Sequence, residues 1–176
     1  MRQRVDSSFV RARLAAQDGL GLVELVIALM VLSIGLLAIV AGFSSGMSAL
    51  VRASQTSTAA TLADGQMELY RGIRHTAIGL DAGSLPGDTV YQNDPALSGV
   101  SSQVTATCAG IPPECRPSQV VAGPDGHSYR IDTYIVWKQP TATARSVKQI
   151  TIVIRNASDV SQSFTRQVSS FDELSG

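Results

Sequence analysis

The sequence predicts an α+β fold in which one long N-terminal helix, half membrane-spanning and half amphipathic, packs on a C-terminal antiparallel β-sheet. Three observations carry this. No Asp, Glu, Lys or Arg occurs between Leu25 and Val51. All seven prolines lie at or after Pro86, so nothing obliges a break in a helix over the first 85 residues. Beyond about residue 100 the hydrophobic period changes from 3.6 to two, the signature of strands.

The first 19 residues hold Arg2, Arg4, Arg11 and Arg13 against Asp6 and Asp18, a net charge of +2. From Leu25 to Phe43 run 19 uncharged residues, about 28 Å as a helix, enough to cross a hydrocarbon layer of about 30 Å. The next Lys or Arg after the leader is Arg52. The positive-inside bias therefore places the N-terminus in the cytoplasm and the C-terminal part outside. Glu24 abuts this run. A carboxylate costs about 2.5–3.5 kcal/mol at a bilayer centre and less near the interface, so an acid in that place has a task.

Gly19-Leu20-Gly21-Leu22-Val23-Glu24 followed by an apolar helix resembles the N-terminal signal of type IV prepilins and pseudopilins. Leu20 stands where most members have Phe, and Gly21 where many have Ser or Thr. The resemblance implies that a membrane prepilin peptidase cuts between Gly19 and Leu20 and N-methylates Leu20. It implies also that Glu24, fifth in the mature chain, serves filament assembly by neutralising the methylated amine of a neighbouring subunit. The implied fold is pilin-like, a sheet packed on the C-terminal half of a long helix. The implied partners are other pilin subunits, the peptidase, the inner-membrane pilus or secretion assembly machinery and the cell membrane.

The uncharged stretch Leu25–Val51 has 27 residues, about 40 Å as a helix, and exceeds the bilayer by about 10 Å. The surplus is small and weakly polar, and Gly42 to Gly46 is a small-xxx-small pattern that permits close helix approach. From Ala53 to Arg74 the pattern is amphipathic: Leu62, Gln66, Leu69, Tyr70 and Ile73 share one face, with Asp64, Glu68 and Arg71 turned away. Ala63-Asp-Gly-Gln-Met-Glu-Leu-Tyr-Arg71 is similar to the segment that closes the long helix in many minor pilins. Gly65 and Gly72 each cost about 1 kcal/mol in a helix interior, so the helix is expected to fray from Gly72 onward.

Residues 76–99 hold six Gly and Pro residues and little apolar content, a punctuated connector. Val100 to Cys108 alternates loosely. Tyr129, Ile131, Thr133, Ile135 and Trp137 alternate with Arg130, Asp132 and Lys138, and Ile150, Ile152 and Ile154 supply the next apolar face. A weaker strand spans Phe164 to Phe171. The expected sheet has one face on the helix and one face wet. The chain divides accordingly into a leader peptide (1–19), a transmembrane or filament-core helix (20–43), its amphipathic continuation (44–76), a connector (77–99) and an antiparallel sheet domain (100–176).

Cys108 and Cys115 lie on the predicted outer side, where disulfides persist, and a bridge between them closes a small loop worth roughly 2–3 kcal/mol in the chain-entropy account. A zinc pair is the alternative. Only His75 and His127 are available to complete it, and neither has ligand spacing to the cysteines. No metal site, cofactor site, nucleophilic triad or Gly-rich phosphate loop can be assembled, and no catalytic residue is assigned. Without the leader the chain holds ten basic and twelve acidic residues, which argues against nucleic acid as a partner. Tyr134, Val136 and Trp137 admit an exposed binding patch, with a buried cross-strand cluster as the default.

These readings converge on a structural subunit, a minor pilin of a type IV pilus-like extracytoplasmic filament, and not an enzyme. Such a subunit waits as a single-pass membrane protein with its N-terminus in the cytoplasm and then enters a cell-surface or periplasmic filament. A pseudopilin of a type II secretion or DNA-uptake system shares this architecture. The rival from another class is a secreted or membrane-anchored binding domain. Against it, the apolar run exceeds the 7–15 residues of a secretory h-region, no clear A-x-A site closes it, and Glu24 is left without a role.

Overall fold

A computed structural model of the chain describes residues 21–99, 103–139 and 145–173. Helix α1 spans Leu22–Arg71 without a break. By internal contacts the chain falls into two compact units, residues 1–49 and 50–176.

In the first unit every described side chain is exposed. The second unit carries a four-stranded antiparallel sheet whose strands lie side by side in chain order. Its strands are β3 (Ser118–Ala122), β4 (Ser128–Lys138), β5 (Val147–Asn156) and β6 (Ser163–Phe171). Two very short strands, β1 (Leu80–Asp81) and β2 (Thr105–Ala106), pair in parallel beside it. Of the loosely alternating run 100–108, residues 100–102 lie outside the described residues. Gln103 makes an isolated antiparallel bridge to Val136, and Thr105–Ala106 form β2.

The C-terminal half of α1 buries Ala59, Ala63, Gln66, Met67 and Tyr70, a stripe at helical spacing. Against it pack Tyr129, Ile131 and Ile135 of β4 and Ile150, Ile152 and Ile154 of β5, with Leu62, Ile73, Phe164 and Phe171 at the margin. The paired registers Ile131↔Ile154, Thr133↔Ile152 and Ile135↔Ile150 put these residues on one sheet face. Leu69, expected on the covered face, is instead 39% exposed. The buried stripe is rotated toward Met67 and the two alanines, whose small side chains let helix and sheet approach closely.

The hairpin between β3 and β4 also reaches the helix. A Cβ on Gly123 would come within 2.6 Å of Tyr129 Cε2 and 2.9 Å of Thr58 Cγ2, so this turn closes against α1 only with glycine there. After Arg71 the chain makes a 3₁₀ turn, His75–Ala77. Lys148 Nζ donates to the carbonyls of His75 and Ile78, each at 2.7 Å. This ammonium, with Trp137 at 5.4 Å, fastens the exit of the helix to β5, and burial lowers its pKa.

The second sheet face departs from expectation over its two central strands. Asp132, Tyr134, Val136, Thr151, Val153 and Arg155 are all buried, so β4 and β5 are sealed on this face and only its edges, at Val120 of β3 and Val168 of β6, stay wet. The cover is the connector. Its short helix α2 (Thr89–Gln92) and the 3₁₀ turn Pro95–Leu97 place Tyr91, Ala96 and Leu97 over Tyr134 and Val153. Little apolar area is available there, and charge completes the closure. Asp94, whose side chain is 0% exposed, accepts from Arg155 and from Arg166. Asp132, also 0% exposed, accepts from Arg130 at 2.7 Å and Arg155 at 3.1 Å, and Arg130 reaches Asp88 at 2.7 Å. Three carboxylates and three guanidinium groups balance: Asp94, Asp132 and Arg155 are buried at the centre, where pairing is demanded, and Asp88 and Arg166 reach the surface.

Candidate functional site: an uncovered apolar helix and a tethered loop

In residues 21–49, described as a unit of their own, α1 begins with the amides of Glu24 and Leu25 on the carbonyl of Gly21, at 2.8 and 3.1 Å. Glu24 occupies the first turn, where the positive end of the helix dipole favours an anion. Beyond it no apolar side chain finds cover. Leu25 is 52% exposed, Leu37 70% and Phe43 72%. An exposed apolar surface of this extent marks a candidate for contact with lipid or with another protein. α1 is long and apolar enough to cross a membrane. The hydroxyls along it are compatible with that setting, since Ser33 donates to Leu29 O at 2.7 Å and Ser48 to Ser44 O at 2.9 Å. Gly19 and Leu20, the expected cleavage and methylation residues, and the rest of the leader lie outside the described residues.

The two cysteines are joined in a disulfide, Cys108–Cys115, with Cα atoms 6.4 Å apart, which withdraws both as ligands for the zinc alternative. The loop they close is seated on α1. Tyr70 Oη donates to Glu114 O at 2.7 Å, and Gln66 Nε2 donates to Pro113 O at 3.2 Å. Gln119 Nε2 of β3 donates to Gln66 Oε1 at 2.9 Å. One buried glutamine thus ties helix, loop and sheet edge together. Burial pushes the Tyr70 phenol up to about 12.

The structure separates the residues of the candidate patch. Tyr134 and Val136 are buried, whereas Trp137, on the opposite face, is 47% exposed and meets His75 edge-on at 6.0 Å between ring centroids. His127 lies exposed in the β3–β4 turn, its Nδ1 3.5 Å from Asp125. Among the described residues no group of three or more His, Cys, Asp or Glu side chains is arranged to hold a metal ion.

Sequence reasoning missed the buried ionic layer, Lys148 and strand β3. One signal was present: Ile150-Thr-Ile-Val-Ile154 is apolar at Val153 as well as at the alternate isoleucines, which marks a strand covered on both faces. For β3, Ser-Gln-Val-Val-Ala offers no alternation to read.

Comparison of the chain with protein-family models, with curated proteins and with solved structures returns no match.

Proposed function

We propose that the protein is a minor pilin-like structural subunit, held in the membrane by the first half of α1 and assembled through that segment into a type IV pilus-like extracytoplasmic filament. The observation that carries this reading is Glu24 in the first turn of an apolar helix whose side chains are uncovered up to Ala49, on a helix that continues into a sheet-bearing half. In a plain anchor a carboxylate at the start of the span serves the helix dipole alone. A filament core needs it, because an amine of a neighbouring subunit buried among helices requires an anion. Prepilin peptidase supplies that amine by cutting between Gly19 and Leu20 and methylating Leu20, the N-terminus being cytoplasmic before assembly.

Intact mass and N-terminal sequencing of protein extracted from membranes test the reading. The expected chain begins at Leu20, carries one added methyl group and lacks two hydrogens for the disulfide. A chain that retains Met1 in cells with active prepilin peptidase, or one that starts beyond Phe43, overturns it.

A further inference from the structure

We propose that the Cys108–Cys115 disulfide is a redox latch, which holds the loop between them against the sheet-facing side of α1 and on reduction frees that loop while β4, β5 and β6 stay folded. The inference concerns residues 50–173 alone and stands whether or not the chain enters a filament.

Three observations carry it. First, the loop is docked through backbone carbonyls, Pro113 O to Gln66 and Glu114 O to Tyr70. Any register of a free chain offers carbonyls equally, so presenting these two to these two donors depends on the ring closure that fixes the turn Pro113–Cys115. Second, the closed ring is strained. Gly110 and Ile111 are consecutive left-handed residues, at φ 75° and 45°, and a β-branched residue there is a genuine outlier. Opening the ring removes the covalent restraint on Ile111 and leaves only the bond from Arg116 Nε to Ile111 O, at 3.0 Å and on an exposed side chain, to hold this conformation. Third, the apolar clusters do not draw on the loop, which meets Gln66 and Tyr70 at their polar ends. Among the described residues neither buried cluster draws on residues 108–117, and the strongest pairing in the sheet is the ten-residue register of β4 with β5.

Access is asymmetric. Cys115 is 7% exposed, whereas Cys108 is only partly buried. A dithiol reductant attacks with one thiolate on a protein sulfur. The S–S bond breaks, a mixed disulfide forms and the leaving thiolate takes a proton. The second reductant thiol then closes on the first, releasing the other protein thiol and an oxidised cyclic disulfide. In an oxidising compartment the latch stays shut; in a reducing one Gln66 and Tyr70 are uncovered.

The test is hydrogen–deuterium exchange of the full chain in detergent micelles, before and after dithiothreitol, with reduction confirmed by alkylation of both thiols. The amides of Ile111, Cys115 and Arg116, which bond within the loop, should exchange about tenfold faster or more when reduced, with β4 and β5 amides unchanged. In the oxidised protein Tyr70→Phe should accelerate the same amides by less. Unchanged loop exchange after full reduction overturns the latch. Acceleration throughout β4 and β5 makes the disulfide a global staple and overturns it equally. No effect of Tyr70→Phe overturns the docking through Glu114.

Discussion

Tyr91 of the connector stacks on Tyr134 of β4, ring centroids 4.4 Å apart and planes at 23°. The Tyr91 hydroxyl donates to Thr133 O at 2.7 Å. This pair closes the sheet face opposite the helix and makes the connector part of the core.

The connector's charges should therefore matter as much as its aromatics. Asp94→Ala removes the carboxylate shared by Arg155 and Arg166 and leaves a buried guanidinium with one remaining anion, Asp132. A loss of about 3 kcal/mol in denaturant unfolding is expected. Replacing Asp94 and Arg155 together by apolar residues of similar volume should recover much of it, because no unpaired charge then remains. A cost for Asp94→Ala below about 1 kcal/mol, the level of a surface pair, would show that the pair contributes no more than an exposed one.

Acid should loosen the same closure. Burial works against the charged form of Asp88, but the Arg130 guanidinium and the Tyr91 amide outweigh it and hold this carboxyl below its ordinary value. A depressed folded value contributes stability that is present above the unfolded value, near pH 4, and is lost as pH falls through the folded one. Protection of the Tyr91 amide relative to its intrinsic exchange rate, with the amide bonded to Asp88 Oδ1 at 2.9 Å, should fall on acidification below about pH 4, and Asp88→Asn should flatten that fall.

Alkali acts on the tyrosines. The chain has four, Tyr70, Tyr91, Tyr129 and Tyr134, all fully buried. Burial raises the pKa of each, to about 12 for Tyr70 and Tyr129. Raised values mean that this stability is intact below the ordinary value of about 10 and is lost as pH climbs through the folded ones. Phenolate absorbance should stay flat through about pH 11 and then rise together with loss of near-ultraviolet dichroism. A component titrating near pH 10 in the folded protein would contradict the burial of one of the four.

A fragment beginning at Ala53 discards the exposed apolar half of α1 and keeps Ala59, Ala63, Met67 and Tyr70, which cover the sheet. It should be a soluble monomer with mixed helix and strand dichroism and a single cooperative melt. Aggregation or the absence of a transition would show that the second unit does not stand on its own core.

Under the filament reading Glu24→Ala separates anchoring from assembly. Removing a carboxylate beside an apolar span eases membrane residence by up to about 3 kcal/mol, so insertion and cleavage after Gly19 should persist. Entry into filaments should fail, since a buried amine loses its anion. Immunoblots of sheared and membrane fractions should find the processed variant in the membrane and depleted from the sheared material. Parental levels in sheared filaments would leave Glu24 without an assembly role.

The sequence by itself determined what depends on neighbours along the chain. The uncharged run to Val51, the late prolines and the alternation in Tyr129–Trp137 and Ile150–Ile154 specify a long helix followed by strands, because period and charge act locally. Two cysteines in a short span likewise made the disulfide legible. Tertiary structure decided the rest. Whether Asp94, Asp132 and Arg155 face water or one another depends on a connector that folds back over the sheet, and a charge in a strand reads as solvent-facing until its cover is known. The rotation of the helix stripe from Leu69 to Met67 depends on the sheet it meets. So does Gln66, a polar residue on an apolar face, which is stable there because Pro113 and Gln119, far along the chain, supply the hydrogen bonds that its burial requires.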